Sequence, residues 1–146
     1  MSKAEKTRTI LKVKAKPPSE LTIQWSDGTK AVLELDRLMK NRRFRALRDA
    51  NLFARVRVGE WGHSVAWSSD VELSAEALWL ETLSATGHHD TREFIEWRLR
   101  HGLSLSAAAE ALGLSRRMVA YYSNGEKPVP RAILLACKGW EVSHAA

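Results

Sequence analysis

The chain has 146 residues, a formal net charge of +6 and a single cysteine, which bounds it to one core or two small ones and excludes an intrachain disulfide framework. One cysteine agrees with a reducing compartment, and with no signal peptide or membrane-length apolar run in the sequence, a cytoplasmic protein without a membrane partner is expected. The charge is uneven: residues 1–60 hold fifteen Lys or Arg against seven acids, residues 61–90 hold five acids and no Lys or Arg, and residues 91–146 hold eight against five. The strongest positive field therefore belongs to the first part, which suits a polyanion or an acidic protein, solubility being the plain alternative.

In chain order, the first eight residues are polar and expected to fray. Leu11, Val13 and Ala15 alternate with Lys12, Lys14 and Lys16, the period of a half-buried strand that Pro17-Pro18 ends. Leu21, Ile23 and Trp25 repeat the pattern, Asp27-Gly28 supplies a tight hairpin turn, and Ala31, Leu33 and Leu35 alternate on the returning strand. Asp36 is placed to cap a short helix through Met39, and residues 40–53 follow with Phe44 and Leu47 at helical spacing. The basic stretch 40–57 suits a solvated face, DNA or protein equally. Phe53, Val56 and Val58 resume strand character, residues 59–62 read as a turn, 63–67 as a strand and 71–73 as a short one. Ser74 then caps a helix bearing Leu78, Trp79 and Leu83, expected as the join between two halves.

This succession is similar to an uncharacterised small bacterial α+β domain family, on Asp27-Gly28, Leu52-Phe53, and Trp67 with Asp70 and Leu73. Ser68-Ser69 departs from it, standing where the family commonly has a turn glycine nearby. The resemblance implies a domain that occurs alone or joined to a helix-turn-helix, and its link to toxin-like neighbours implies an antitoxin-like role.

Residues 87–90 are the expected boundary between an α+β domain, 7–87, and a helical one, 88–146. Asp90 with Glu93 has capping-box spacing for a helix that turns Phe94, Ile95 and Leu99 inward and ends at Gly102. Ser104 caps a helix to Leu112, Gly113 ends it in the left-handed conformation, and Ser115 caps the next. Ala108 and Ala109 let helices approach closely, and Leu112, Leu114 and Val119 lie where a shared interior is needed. Asn124-Gly125 closes the third helix, Pro128 and Pro130 restart the chain, and Ile133, Leu134 and Cys137 form a last buried face that Gly139 stops before Trp140.

At about 100° per residue, Arg116, Arg117, Ala120, Tyr121 and Asn124 fall on one arc of the third helix, and Met118, Val119 and Tyr122 on the other. A basic, hydrogen-bonding outer face suits a helix presented to a major groove, a solvated face being the plain alternative. From about residue 90 to 140 the chain resembles the lambda-repressor-like (Xre-type) helix-turn-helix family. That resemblance implies that Ser115, Arg116 and Arg117 begin the recognition helix, that Tyr121 is a base-contacting position and that Asn124 contacts phosphate. Leu105 departs from the family's usual Gln, which contacts backbone phosphate.

Other chemistry finds little support. His88, His89 and Asp90 have no distant His/Cys pair to complete a metal site, and no nucleophile elbow, phosphate loop or paired-carboxylate motif places a catalytic residue. Trp25, Trp67 and Trp97 read as core, with Trp61 exposed in its turn. The expected fold is α+β, a small antiparallel-sheet domain followed by an all-α helix-turn-helix bundle. The expected function is a non-enzymatic, sequence-specific DNA-binding regulator, homodimeric and without cofactor or metal. Its site is Ser115, Arg116, Arg117, Ala120, Tyr121 and Asn124. The alternative is a protein-interaction module whose α+β domain binds a toxin-like partner and whose helix-turn-helix is only structural.

Overall fold

Alternation of apolar and charged residues resolves, in a computed structural model describing residues 8–145, into a three-stranded antiparallel sheet. Its strands, β1 (Ile10–Lys16), β2 (Glu20–Trp25) and β3 (Lys30–Glu34), lie in that order. Residues 1–7, most of the stretch expected to fray, lie outside the described range, as do the outer bounds 7 and 146 of the two expected domains. Arg8 itself is held: its Nε donates to Asp27 Oδ2 at 3.1 Å and its guanidinium lies 4.0 Å from the centre of the Trp79 ring. Leu21, Ile23, Trp25, Ala31 and Leu33 point into the core. Leu11 does not. A register shift between Ile10 and Lys12 puts an extra residue into β1, so Ile10 takes the buried place and Leu11 is 54% exposed.

The basic stretch is wound more tightly than expected. Asp36 caps nothing; its backbone N–H donates to Glu34 Oε1, and a short 3-10 turn, Leu38–Lys40, starts from Arg37. A second 3-10 helix, Arg42–Arg48, is capped by Asn41, and three residues per turn bring Phe44 and Leu47 to the same buried side. Asp49 caps α1 (Ala50–Phe53), so Phe53 ends a helix and does not begin a strand. A second antiparallel sheet follows, β4 (Arg57–Val58), β5 (Ser64–Ala66) and β6 (Glu72–Ser74), with β4 lying against β1. Trp61, between β4 and β5, is 79% exposed with φ 59°. Next to it Gly62 has φ +73°, and a Cβ there would stand 2.7 Å from the carbonyl oxygen of Ile10, so only glycine lets this turn meet β1.

Ser74 Oγ accepts from Ala77 N at 3.1 Å and starts α2 (Ala75–Ala85). This helix, expected as a join, belongs to the first core through Ala75 and Leu78, and its buried Thr82 Oγ1 accepts from Trp25 Nε1 at 3.0 Å. The indole of Trp67 donates to the Phe53 carbonyl at 3.0 Å while its ring stacks on Phe53, which fastens α1 to the second sheet.

One compact unit ends at Thr86 and another begins at Gly87. The latter holds α3 (His89–Arg100), α4 (Leu105–Leu112), α5 (Arg116–Asn124) and α6 (Arg131–Ser143). Asp90 caps no helix here; its Oδ2 accepts from Val129 N at 2.8 Å and ties the start of α3 to the loop before α6. Leu99 is 51% exposed, and Phe94, Ile95 and Trp97 make the inward face instead. Gly139 does not stop the last helix, which runs through Trp140 to Ser143, because Trp140 packs edge-on against Trp97 and Glu141 bonds to Arg100 and His101 of the α3 end. Ile133 and Leu134 are half-buried and Cys137 buried. Burial, with help from Glu141 and Glu93, pushes the Cys137 thiol up to about 11, which leaves it a packing residue and a poor nucleophile. Among the described residues no helix is long and apolar enough to cross a membrane.

Candidate nucleic-acid interface

The pair α4 and α5 is set by three local devices. Ser104 Oγ accepts from Ala107 N at 3.0 Å and begins α4. Gly113, at φ +70°, turns the chain, with Leu114 N donating back to Ala109 O at 2.9 Å. Ser115 Oγ accepts from Met118 N at 3.1 Å and begins α5. Ala108, Ala109 and Val119 pack at the crossing, and Leu105 joins them at 2% exposure. Leu105 is thus a core residue and offers nothing to a ligand at the start of α4.

The residues singled out on α5 and at its cap divide into four groups. Arg116 and Arg117 are exposed at its first turn, and Tyr121 is half-exposed one turn on. Ser115 is exposed, with its hydroxyl spent on the cap. Ala120 does not join the outer face: it is 7% exposed and lies in the core, because α5 packs against α3 as well as α4 and this widens its buried arc to Val119, Ala120, Tyr122 and Ser123. Asn124 uses its amide locally. Its Oδ1 accepts from Glu126 N at 2.9 Å and its Nδ2 donates to Glu126 Oε1 at 3.2 Å.

What binds the outer face together is Tyr121. Arg117 Nε donates to its phenolic oxygen at 2.6 Å, and the same guanidinium lies 5.4 Å from the ring centre. Lys127, beyond the helix, places Nζ 4.8 Å from that centre and donates its backbone N–H to Tyr121 O at 3.3 Å. Two cations thus share one aromatic ring, each contact contributing about 0.5–1 kcal/mol at an exposed site. Sequence reading missed Lys127, although Gly125 and Pro128 on either side mark the chain reversal that returns it to α5. The cluster offers guanidinium and ammonium donors on one side of a rigid helix, which is what recognition of phosphate and of guanine edges requires.

One other grouping is structural. Glu141 accepts from Arg100 and, at 3.1 Å, bonds His101, with Trp140 packed between the rings of His101 and His144. No grouping of three or more His, Cys, Asp or Glu that could hold a metal ion occurs among the described residues.

Residues 10–82 match the family described as Protein of unknown function (DUF2442). The chain belongs to that family. The DUF2442 match covers both sheets and most of α2, and stops short of the four-helix unit. The chain is also similar to a solved protein of Nitrosomonas europaea ATCC 19718, NE0471, which is named as a candidate DNA binding protein. The two are 37% identical with a TM-score of 0.71, over 92% of this chain and 86% of that one. The likeness therefore extends beyond the DUF2442 match into the helices that follow it. Nothing among curated proteins matches the chain.

Proposed function

We propose that this member of the DUF2442 family is a sequence-specific DNA-binding regulator that presents α5 to the major groove, in the manner the lambda-repressor-like resemblance implies. The observation that carries the reading is the cluster of Arg117, Tyr121 and Lys127 beside Arg116, on the exposed side of a helix whose first turn is fixed by Ser115. Arg116 and Arg117 stand where the first turn of a recognition helix meets base edges, and each guanidinium can pair bidentately with guanine. Lys127 and the first-turn backbone supply phosphate contacts, which fix register without reading sequence. Asn124 reaches a phosphate only by giving up its bonds to Glu126. The name given to the Nitrosomonas protein supports the same partner class. In a two-fold homodimer two copies of α5 would read half-sites about 34 Å apart.

The test is selection of bound sequences from a random duplex pool, followed by competition with the selected site. Arg116→Ala and Arg117→Ala are each expected to lose about 1–3 kcal/mol of discrimination. If both variants keep the wild-type preference, α5 does not read bases.

A further inference from the structure

The first unit carries a second concentration of positive charge, unrelated to α5. On the outward side of the first sheet, Lys12 pairs in register with Gln24 and Gln24 with Lys30, so a row of cation, amide and cation crosses three strands. The next row begins with Lys14 opposite Thr22. Beside β1, β4 brings Arg57 and Val58. Together these residues line an open cleft of about 480 Å³ whose cations are Lys12, Lys14, Lys30 and Arg57 and whose lining includes no acid. Among the described residues no carboxylate pairs with any of the four. The acids on the strands of this sheet stand at its other end, where Glu20 opposes both Lys16 and Glu34, and Glu34 accepts from Ser19 and the Asp36 backbone, while Asp27, in the turn at the near end, is paired with Arg8.

We infer that this cleft binds the phosphodiester backbone of nucleic acid without regard to sequence. Four cations held together without a counter-charge repel one another, and a ligand that neutralises several at once relieves that cost. Alternate residues on a strand repeat at about 6.6 Å and neighbouring strands at about 4.8 Å, so the sheet presents its charges as a regular array. A polymer with one full charge per unit can engage such an array at several points. Each contact also releases condensed counterions, a gain that an acidic polypeptide lacks. Thr22 and Gln24 add neutral donors between the cations, which suits phosphate oxygens, while the lining shows no aromatic residue on which bases could stack. The cleft should therefore hold backbone and ignore base identity. The inference stands apart from the reading of α5, since every residue in it belongs to the first unit.

The test uses the full-length protein and a labelled duplex of arbitrary sequence, with affinity followed by fluorescence anisotropy against salt. In one variant Lys12→Gln, Lys14→Gln, Lys30→Gln and Arg57→Gln are combined. A charge-matched control combines Arg42→Gln, Arg43→Gln, Arg45→Gln and Arg48→Gln on the exposed side of the 3-10 helix, outside the cleft. The cleft variant is expected to lose affinity for all sequences alike, and its slope of log affinity on log salt should fall by about 0.9 for each cation engaged. The control should keep most of both. A third protein, with Lys12→Arg, Lys14→Arg and Lys30→Arg, keeps the charge and should bind as wild type, which separates lost charge from lost fold. Equal loss in the cleft variant and the control would overturn the site in favour of a general field. Unchanged duplex binding, with loss only of binding to poly-glutamate, would overturn it in favour of an acidic protein partner. Arg116→Ala with Arg117→Ala should leave this sequence-independent binding in place, so failure of the α5 reading and failure of the cleft are told apart.

Discussion

In the second unit two of the three candidate cations, Arg116 and Arg117, stand on a helix whose start and end are set by adjacent residues, Ser115 and Gly125, and Lys127 follows it closely, whereas in the first the cleft cations come from β1, β3 and β4 and meet only when two sheets form. The α5 cluster is organised around one aromatic ring and is narrow. The cleft has no aromatic residue in its lining and spreads charge over a sheet face. A narrow, rigid cluster suits the reading of a few base edges, and a broad array suits a backbone. A larger charge excess, such as that of residues 1–60, is by itself no mark of a surface that reads sequence. Charge sets how strongly a polyanion is held, and geometry sets whether its sequence is read.

The largest effect expected comes from unfolding one unit while the other stays folded. Gly62→Val should destabilise the first unit by on the order of 4 kcal/mol, because a side chain would combine left-handed backbone strain with contact against the backbone of Ile10. Urea unfolding followed through indole resonances should show Trp25, Trp67 and Trp79 losing structure first, with Trp97 and Trp140 unmoved. Unchanged midpoints for the first group would mean that β1 does not need the close approach at Gly62.

Gly113→Val is the counterpart in the second unit and should cost less, about 2 kcal/mol. The position has φ +70° but nothing within 4 Å of an added Cβ, so only the backbone preference is lost. Here Trp97 and Trp140 should shift to lower denaturant. A loss as large as that of Gly62→Val would show that the turn between α4 and α5 is crowded.

These two glycines also show where the sequence was legible. The cap at Ser104, the turn at Gly113 and the cap at Ser115 depend on residues within three or four positions of each other, so their spacing carried the geometry of α4 and α5. The strands β2 and β3 were legible for the same reason, since the turn at Asp27 and the alternation around it are local. The misses depended on distant partners. Asp90 would serve as a cap by sequence, but Val129 supplies a better-placed N–H. Gly139 would stop a helix, but Trp140 and Glu141 find partners on α3 that carry α6 past it. The displacement of Leu11 follows from a bulge, and the burial of Ala120 from the third helix that α5 meets. In the candidate site Arg116, Arg117 and Tyr121 were visible as one helical arc, while Lys127 and the cleft needed the chain to fold back.

The smallest effect expected is a pH dependence, and it too separates the units. Burial pushes the Asp27 carboxyl up, but hydrogen bonds from the Thr29 backbone and side chain, together with Arg8, outweigh it and hold the group below its ordinary 3.8. In the second unit the hydrogen bond from Arg100, then that from His101, holds the Glu141 carboxyl below its ordinary 4.5. Both shifts are depressions, so each contributes stability that is present above the unfolded value and is lost as pH falls through the folded one. Asp27 is exposed and Glu141 half-exposed, so water screens both carboxylates, which keeps the gain below that of either glycine. Unfolding midpoints compared between about pH 7 and about pH 3 should therefore fall for both sets of indoles. Asp27→Asn should reduce the fall for Trp25, Trp67 and Trp79 alone, and Glu141→Gln for Trp97 and Trp140 alone. If either substitution leaves its own unit's acid sensitivity unchanged, the hydrogen bonds drawn to that carboxylate do not persist in solution. If each alters both units equally, the two unfold as one.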